Sequence, residues 1–228
     1  MPIWKDLAAV LFPRSCPACG KRLTAAEGEV CLDCLLDIAS THFEKRPTDN
    51  ELYYRLAGRV AIAGAVPLLY FEKSGKVKQL ISALKYRNRP QLGVFLGQYL
   101  GEQLRGQPWM ADVTAIVPVP LHTRRLASRG YNQSAQLGDG LAQVLGVPHL
   151  PHALTRIVNT RTQTRKGQAE RWQNVKEAFE LATPLQGHVL LVDDVVTTGT
   201  TTEACVRALL AGQAGLKVTV VAAAMTRR

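Results

Sequence analysis

The sequence predicts an α/β protein: a parallel sheet flanked by helices, with a small cysteine-rich module ahead of it. Two observations lead there. From Val113 onward, short apolar runs alternate with helix-patterned runs, the order that builds parallel sheets covered on both faces. Ahead of them, two C-x-x-C pairs stand close together between positions 16 and 34, too near the start to belong to that alternation.

With 228 residues, 46% of them hydrophobic, the chain is long enough for one large core plus a small appendage. We place the boundary at residue 50, giving an N-terminal module over 1–50 and a main domain over 51–228. A net charge of +10 favours polyanionic partners such as nucleotides, pyrophosphate or nucleic acid. No apolar run approaches the roughly 20 residues needed to span a bilayer, so no membrane insertion is expected.

Ile3, Leu7, Val10 and Leu11 fit one face of a short amphipathic opening helix. A secretory leader is disfavoured because the apolar run after Asp6 is short and broken by Pro13-Arg14. The expected location is therefore cytoplasmic.

Cys16, Cys19, Cys31 and Cys34 offer four thiolates to one tetrahedral ion, and the hairpin containing Gly20 and Gly28 brings the pairs together. Two disulfides would suit an oxidising compartment, and a redox C-x-x-C would not need a matched second pair. The spacing favours structural zinc. With sulfur at all four positions the ion would be a staple and not a catalyst. Cys205 stands alone in an apolar helical run and reads as a small core residue.

Arg46 to Asn50 reads as linker. Val60–Val66 and Leu68–Phe71 suit two strands or a hairpin interrupted by Pro67. Ser74 is a candidate cap for a helix with Val77, Leu80, Ile81 and Leu84 on one face, ending at Lys85-Tyr86-Arg87. Pro90 opens another, with Leu92, Phe95, Leu96, Tyr99 and Leu100 on its apolar side.

Val113–Val119 has the pattern of a buried strand, and it leads into the basic loop Pro120-Leu121-His122-Thr123-Arg124-Arg125. Arginine forks suit phosphate oxygens, although an ordinary strand–helix connection would read the same way. His122 reads as a hydrogen-bonding loop residue more than as a general base. Arg129 to Ser134 then leads into a helix carrying Leu137, Leu141 and Leu145. A second strand is expected near His149–Thr155. The polar, basic stretch Arg156–Val175 is too long for a routine connection. It suits a functional lid, or a grip on nucleic acid in which Trp172 stacks on a base.

Val189–Val192 is the most apolar strand, and it ends in Asp193-Asp194 followed by Val195-Val196-Thr197-Thr198-Gly199-Thr200-Thr201. Adjacent strand residues face opposite ways, so the carboxylates diverge. Small hydroxyl residues and glycine at a helix start make a nest for phosphate. A metal site or a merely capped strand end is the alternative, though neither needs such a nest. Glu203, Ala204, Val206, Ala208 and Leu209 continue the helix, and Lys217–Ala224 supplies the last strand.

The stretch Val189–Thr201 resembles the phosphoribosyl pyrophosphate (PRPP) signature of type I phosphoribosyltransferases. The whole chain resembles the ComF family (GntX-like proteins), which joins such a domain to a zinc-knuckle module. Val119–Ser134 carries the same resemblance. It implies a type I phosphoribosyltransferase fold in which Asp193 and Asp194, at the catalytic centre, contact the ribose hydroxyls. Thr197, Thr198, Gly199, Thr200 and Thr201 would hold the 5'-phosphate, with the helix starting at Thr201 or Thr202. Val119, Pro120, Leu121, His122, Arg124 and Arg125 would form the pyrophosphate loop. Gln163, Arg171 and Asn174 would belong to the lid, and the Lys85-Tyr86 region would lean toward the cleft. Magnesium would sit on ligand oxygens with few protein ligands.

The implied reaction transfers a phosphoribosyl group to an unknown acceptor and releases pyrophosphate. The resemblance equally implies an accessory role in DNA uptake, with PRPP as a structural or regulatory ligand. Single-stranded DNA or a helicase would then be the partner.

Overall fold

The computed structural model describes residues 14–156 and 178–227. The opening helix and the lid residues Gln163, Arg171 and Asn174 lie outside the described residues. In chain order the elements are α1 (Leu32–Asp37), α2 (Glu51–Ala57), β1 (Gly64–Phe71), α3 (Lys76–Tyr86), α4 (Pro90–Leu104), β2 (Val113–Pro118), α5 (Thr123–Arg129) and α6 (Gln133–Leu145). Then follow β3 (Leu154–Arg156), β4 (Phe179–Leu181), β5 (His188–Val196), α7 (Thr200–Leu210) and β6 (Lys217–Thr226).

Strands β1, β6, β5 and β2 lie in that order in one parallel sheet. Alternation along β5 decides what each face packs against. Leu190 and Val192 join Leu80, Leu84, Leu96, Leu137 and Leu141 under α3, α4 and α6. Val189 and Leu191 join Leu52, Leu56, Cys205 and Leu209 under α2 and α7. Burying each such aliphatic side chain is worth about 1.5–3 kcal/mol, so both faces hold the sheet. Cys205 is fully buried there, as its apolar surroundings implied.

The cysteine module shares this core. Cys16, Cys31 and Cys34 belong to the same apolar cluster as Leu80, Leu92 and Leu96. Arg89 Nη1 donates to the Ser15 carbonyl at 2.8 Å, and Lys76 pairs with Asp37 at 2.7 Å.

Several elements differ from the sequence reading. Val60–Phe71 is neither two strands nor a hairpin, because β1 runs through Pro67 as one edge strand. An edge strand tolerates proline, and here the Thr41 hydroxyl donates to the Pro67 carbonyl. Gly75, with φ 92°, caps α3 in place of Ser74. The segment expected to be linker is a packed turn: Asn50 Nδ2 donates to the carbonyls of Arg46, Pro47 and Ala65, while Oδ1 caps α2. The strand expected over His149–Thr155 is divided. His149 makes one bridge to Ile116, and Leu154–Arg156 pairs with Phe179–Leu181 in a separate two-stranded sheet.

Helices α4 and α6 approach unusually closely. A Cβ on Gly97 would strike the Leu137 carbonyl, and one on Gly140 the Val94 carbonyl. At the amino ends of β5 and β6, His188 Nδ1 donates to the Asp112 carboxylate at 2.7 Å, and Nε2 lies 2.8 Å from the Thr219 hydroxyl. Thr219 is buried at the far end of the sheet from the strand-end cleft, so this trio is structural.

Candidate functional site

Strand β5 does not stop at the acidic pair but continues to Val196, and its two carboxylates end in different surroundings. Asp193 is 8% exposed and its oxygens are engaged internally. Oδ1 accepts from the Asp194 amide at 2.8 Å and Oδ2 from the Thr202 hydroxyl at 3.2 Å. Burial, reinforced by the neighbouring Asp194 charge, pushes the Asp193 carboxyl up to about 7. Asp194 turns the other way and meets the Lys85 ammonium at 3.1 Å.

The turn after β5 reverses through Gly199, whose φ of 80° is the left-handed region that glycine enters without strain. Helix α7 begins at Thr200, slightly earlier than expected, and among the described residues no side chain caps its first amides. Those amides carry the positive end of the helix dipole. The loop's carbonyls are anchored from the other side. Arg55 Nη1 donates to the Thr197 carbonyl at 2.6 Å, and Arg59 Nη2 donates to that of Thr198 at 2.8 Å.

Opposite lies the loop after β2. The Val119 amide donates to the Val192 carbonyl at 2.8 Å, and Asn132 Nδ2 donates to the Val119 carbonyl at 3.0 Å. These bonds hold the loop against the end of β5. His122 Nδ1 accepts from the Arg124 amide at 3.1 Å and so caps α5. That hydrogen-bonding role is the one its loop position implied.

Between these walls is a cleft of about 470 Å³. Of the residues singled out in the sequence, it brings together Asp193, Asp194, Thr197, Thr198, Gly199, Thr200, Thr201, Val119, Pro120, Leu121 and Arg125. His122 and Arg124 are not among its lining residues. Helix α3 forms a third wall with Lys78, Ser82, Lys85 and Tyr86, which puts the Lys85-Tyr86 region on the cleft. Arg129 and Arg156 also line it. Burial lowers the Arg156 guanidinium from its ordinary value, and Arg125 adds to that effect. The lining cations outnumber the two carboxylates, so the cleft suits an anionic ligand that also carries hydroxyls.

Sequence reasoning missed Arg55 and Arg59, and it gave Arg129 no role. The available signal for α2 was Asn50 followed by Leu52 and Leu56, a cap and an i, i+4 apolar pair.

Away from the cleft, the sulfur atoms of Cys16, Cys19, Cys31 and Cys34 all lie within 4.8 Å of one another. None forms a disulfide. Burial alone would push the Cys16 thiol up, but amides of Cys31, Ala18 and Cys19 directed at its sulfur bring it down to about 7. Burial raises Cys31 and Cys34. Four converging thiols of this kind fit a tetrathiolate metal site. No helix among the described residues is long and apolar enough to cross a membrane.

The parallel sheet flanked by helices, with its cleft at the carboxyl ends of β5 and β2, is an α/β fold that opens its site at the strand ends. No protein-family model matches the chain. It is 32% identical over 205 residues to "DNA utilization protein YhgH" of Escherichia coli strain K12, covering 86% of this chain and 83% of that protein. It is 43% identical over 91 residues to "Competence protein F" of Haemophilus influenzae, covering 38% of this chain and 40% of that one. The chain belongs to the ComF family with these relatives. The match to the Salmonella typhi relative, at 37% identity, spans 58% of this chain and 60% of that protein's length.

Similar solved structures include the glutamine PRPP amidotransferase of B. subtilis, at TM-score 0.40 and 23% identity over 61% of this chain and 30% of that one. An adenine phosphoribosyltransferase follows at TM-score 0.35 and 22% identity, over 60% of this chain and 73% of that one.

Proposed function

We propose that the cleft binds PRPP with magnesium and transfers its phosphoribosyl group to an acceptor, releasing pyrophosphate. The observation that carries this is the meeting of an acidic strand end and an uncapped helix start in one basic cleft. Asp194 offers its carboxylate to the ribose hydroxyls, and Asp193, held by the Asp194 amide and the Thr202 hydroxyl, braces the strand end behind it. The Thr197–Thr201 turn offers amides and hydroxyls to the 5'-phosphate. Val119, Pro120, Leu121 and Arg125, with Arg129, face the diphosphate.

In the reaction the bond from C1 to the diphosphate oxygen breaks and the diphosphate leaves with the electron pair. The acceptor's nucleophilic atom bonds to C1, and its proton passes to solvent water. Arg125 and Arg129 balance the charge that builds on the leaving group, and fixed geometry supplies the rest of the acceleration. Magnesium, when bound, would offset the negative charge of the diphosphate.

Calorimetric titration of PRPP with magnesium into wild type and Asp194→Asn tests the reading. Binding by wild type that falls at least about tenfold in the variant is expected. No binding by wild type refutes it.

The names of the relatives fit a second reading, an accessory role in DNA uptake, in which PRPP would be a structural or regulatory ligand. In it the basic surface contacts single-stranded DNA or a helicase partner, inside the cytoplasm. Affinity for a single-stranded oligonucleotide that falls steeply with salt supports it, and a flat or absent response removes the DNA contact. Pyrophosphate release only when candidate acceptors are added favours the enzyme. In either reading the four cysteines hold zinc as a structural ion, and residues 1–50 form the module that carries it.

A further inference from the structure

We propose that Lys85 is an exchangeable counter-ion, which neutralises Asp194 in the free protein and passes to the diphosphate when a phosphoribosyl ligand enters. The inference rests on the PRPP reading above.

Asp193 has both oxygens engaged by the Asp194 amide and the Thr202 hydroxyl, so Asp194 is the carboxylate turned to the cleft. Its partner there is Lys85, at 3.1 Å, with the two side chains 22% and 15% exposed. A ribose hydroxyl reaching this strand end must therefore compete with an ammonium group already in place.

The backbone carrying Lys85 is pinned. Leu84 is fully buried and its carbonyl accepts from the Tyr131 hydroxyl, which itself accepts from the Arg89 amide at 3.2 Å. Exchange is thus a side-chain rotation and needs no helix movement. Lysine suits it, being a compact charge on a flexible stem and not a rigid fork committed to one carboxylate.

The destination follows from what lines the cleft. Among the described residues there, the only other carboxylate is Asp193, which is already satisfied. An ammonium displaced from Asp194 is left with the ligand's own phosphates, and Arg129, whose guanidinium lies 5.3 Å from the centre of the Tyr86 ring next to Lys85, draws the diphosphate toward it. Ribose gains Asp194 only when diphosphate takes Lys85, so the exchange selects ligands that carry both groups.

Calorimetry on the full chain with magnesium, using PRPP, inorganic pyrophosphate and ribose 5-phosphate as probes, tests this against Lys85→Met. Exchange predicts shifts of opposite sign: PRPP and pyrophosphate weaken by about tenfold or more, while ribose 5-phosphate tightens several-fold. Equal weakening of PRPP and ribose 5-phosphate makes Lys85 a fixed structural partner and overturns the proposal, as does no change in any probe. Lys85→Gln carries the same expectation and replaces the methionine variant if thermal melting shows that variant unfolded. Wild type that binds neither PRPP nor ribose 5-phosphate refutes the PRPP reading itself, a result distinct from parallel shifts in the variants.

Discussion

Arg59 on the short segment after α2 donates from Nη2 to the Thr198 carbonyl at 2.8 Å, tying the phosphate-type turn to a residue far away in sequence. The same guanidinium pairs with buried Glu203 at 3.0 Å, in the first turn of α7. One side chain thus fixes both the turn and the helix start that would receive an anion. Arg59→Leu should lose about 1–3 kcal/mol of stability, since it removes charge-assisted bonds while Arg207 still partners Glu203. Its affinity for PRPP should fall further than melting alone explains. Denaturant midpoints and calorimetry on the same variant separate the two effects, and unchanged affinity would deny the turn's dependence on α2.

Gly199 faces a double constraint. Its φ is 80°, and a Cβ there would lie 2.7 Å from Leu56 Cδ2 and 2.8 Å from Arg59 Nη2. Gly199→Ala should therefore destabilise the chain by about 1–3 kcal/mol and displace the Arg59 bond as well. Loss of phosphate-ligand binding should exceed that of a control Gly212→Ala, whose φ of 70° is comparable but whose Cβ meets nothing within 4 Å. Equal effects of the two substitutions would assign the cost to backbone strain alone.

What the sequence disclosed follows the range of the interactions involved. The Asp193–Thr201 turn and the cysteine pairs are local patterns, so spacing sufficed to find them. The core faces were legible because Val189–Val192 alternates between two apolar clusters. Pairings across long separations were not. Arg55 and Arg59 reach the turn from 139 or more positions away, and only the folded chain brings them there. Gly97 and Gly140 look unremarkable in the sequence because their purpose is the close approach of α4 and α6. His149 carries a strand-like pattern nearby but makes a single bridge, its register decided by tertiary packing.

Asp193 should make stability depend on pH. Its folded carboxyl sits near 7, above the ordinary 3.8, because burial and Asp194 disfavour the charge. The folded state therefore binds the proton more tightly, and this contribution is complete below pH 3.8 and lost as pH rises toward 7. Asp112 works in a separate window. Lys217 and His188 hold its carboxyl near 2, so its contribution is lost only as pH falls below about 3.8. Between pH 4 and 7 stability should fall by up to about 1.4 kcal/mol per pH unit from Asp193. Denaturant midpoints across that range should flatten in Asp193→Asn. A slope that persists in the variant would assign the pH dependence to other groups.

Metal removal tests how far the cysteine module and the sheet are one folding unit. Cys16, Cys31 and Cys34 sit in the same apolar cluster as Leu80, Leu92 and Leu96, and Arg89 reaches back to Ser15. Losing the zinc proposed above would leave converging thiols without their common partner, at the edge of a core that also supports α3 and α4. Chelation, or Cys16→Ser with Cys34→Ser, should abolish bound zinc in metal analysis and lower the melting of the whole chain in one transition. Because α3 carries Lys85 and Tyr86, PRPP affinity should fall with it. A separate early transition with unaltered ligand binding would show instead that the module unfolds on its own and leaves the cleft intact.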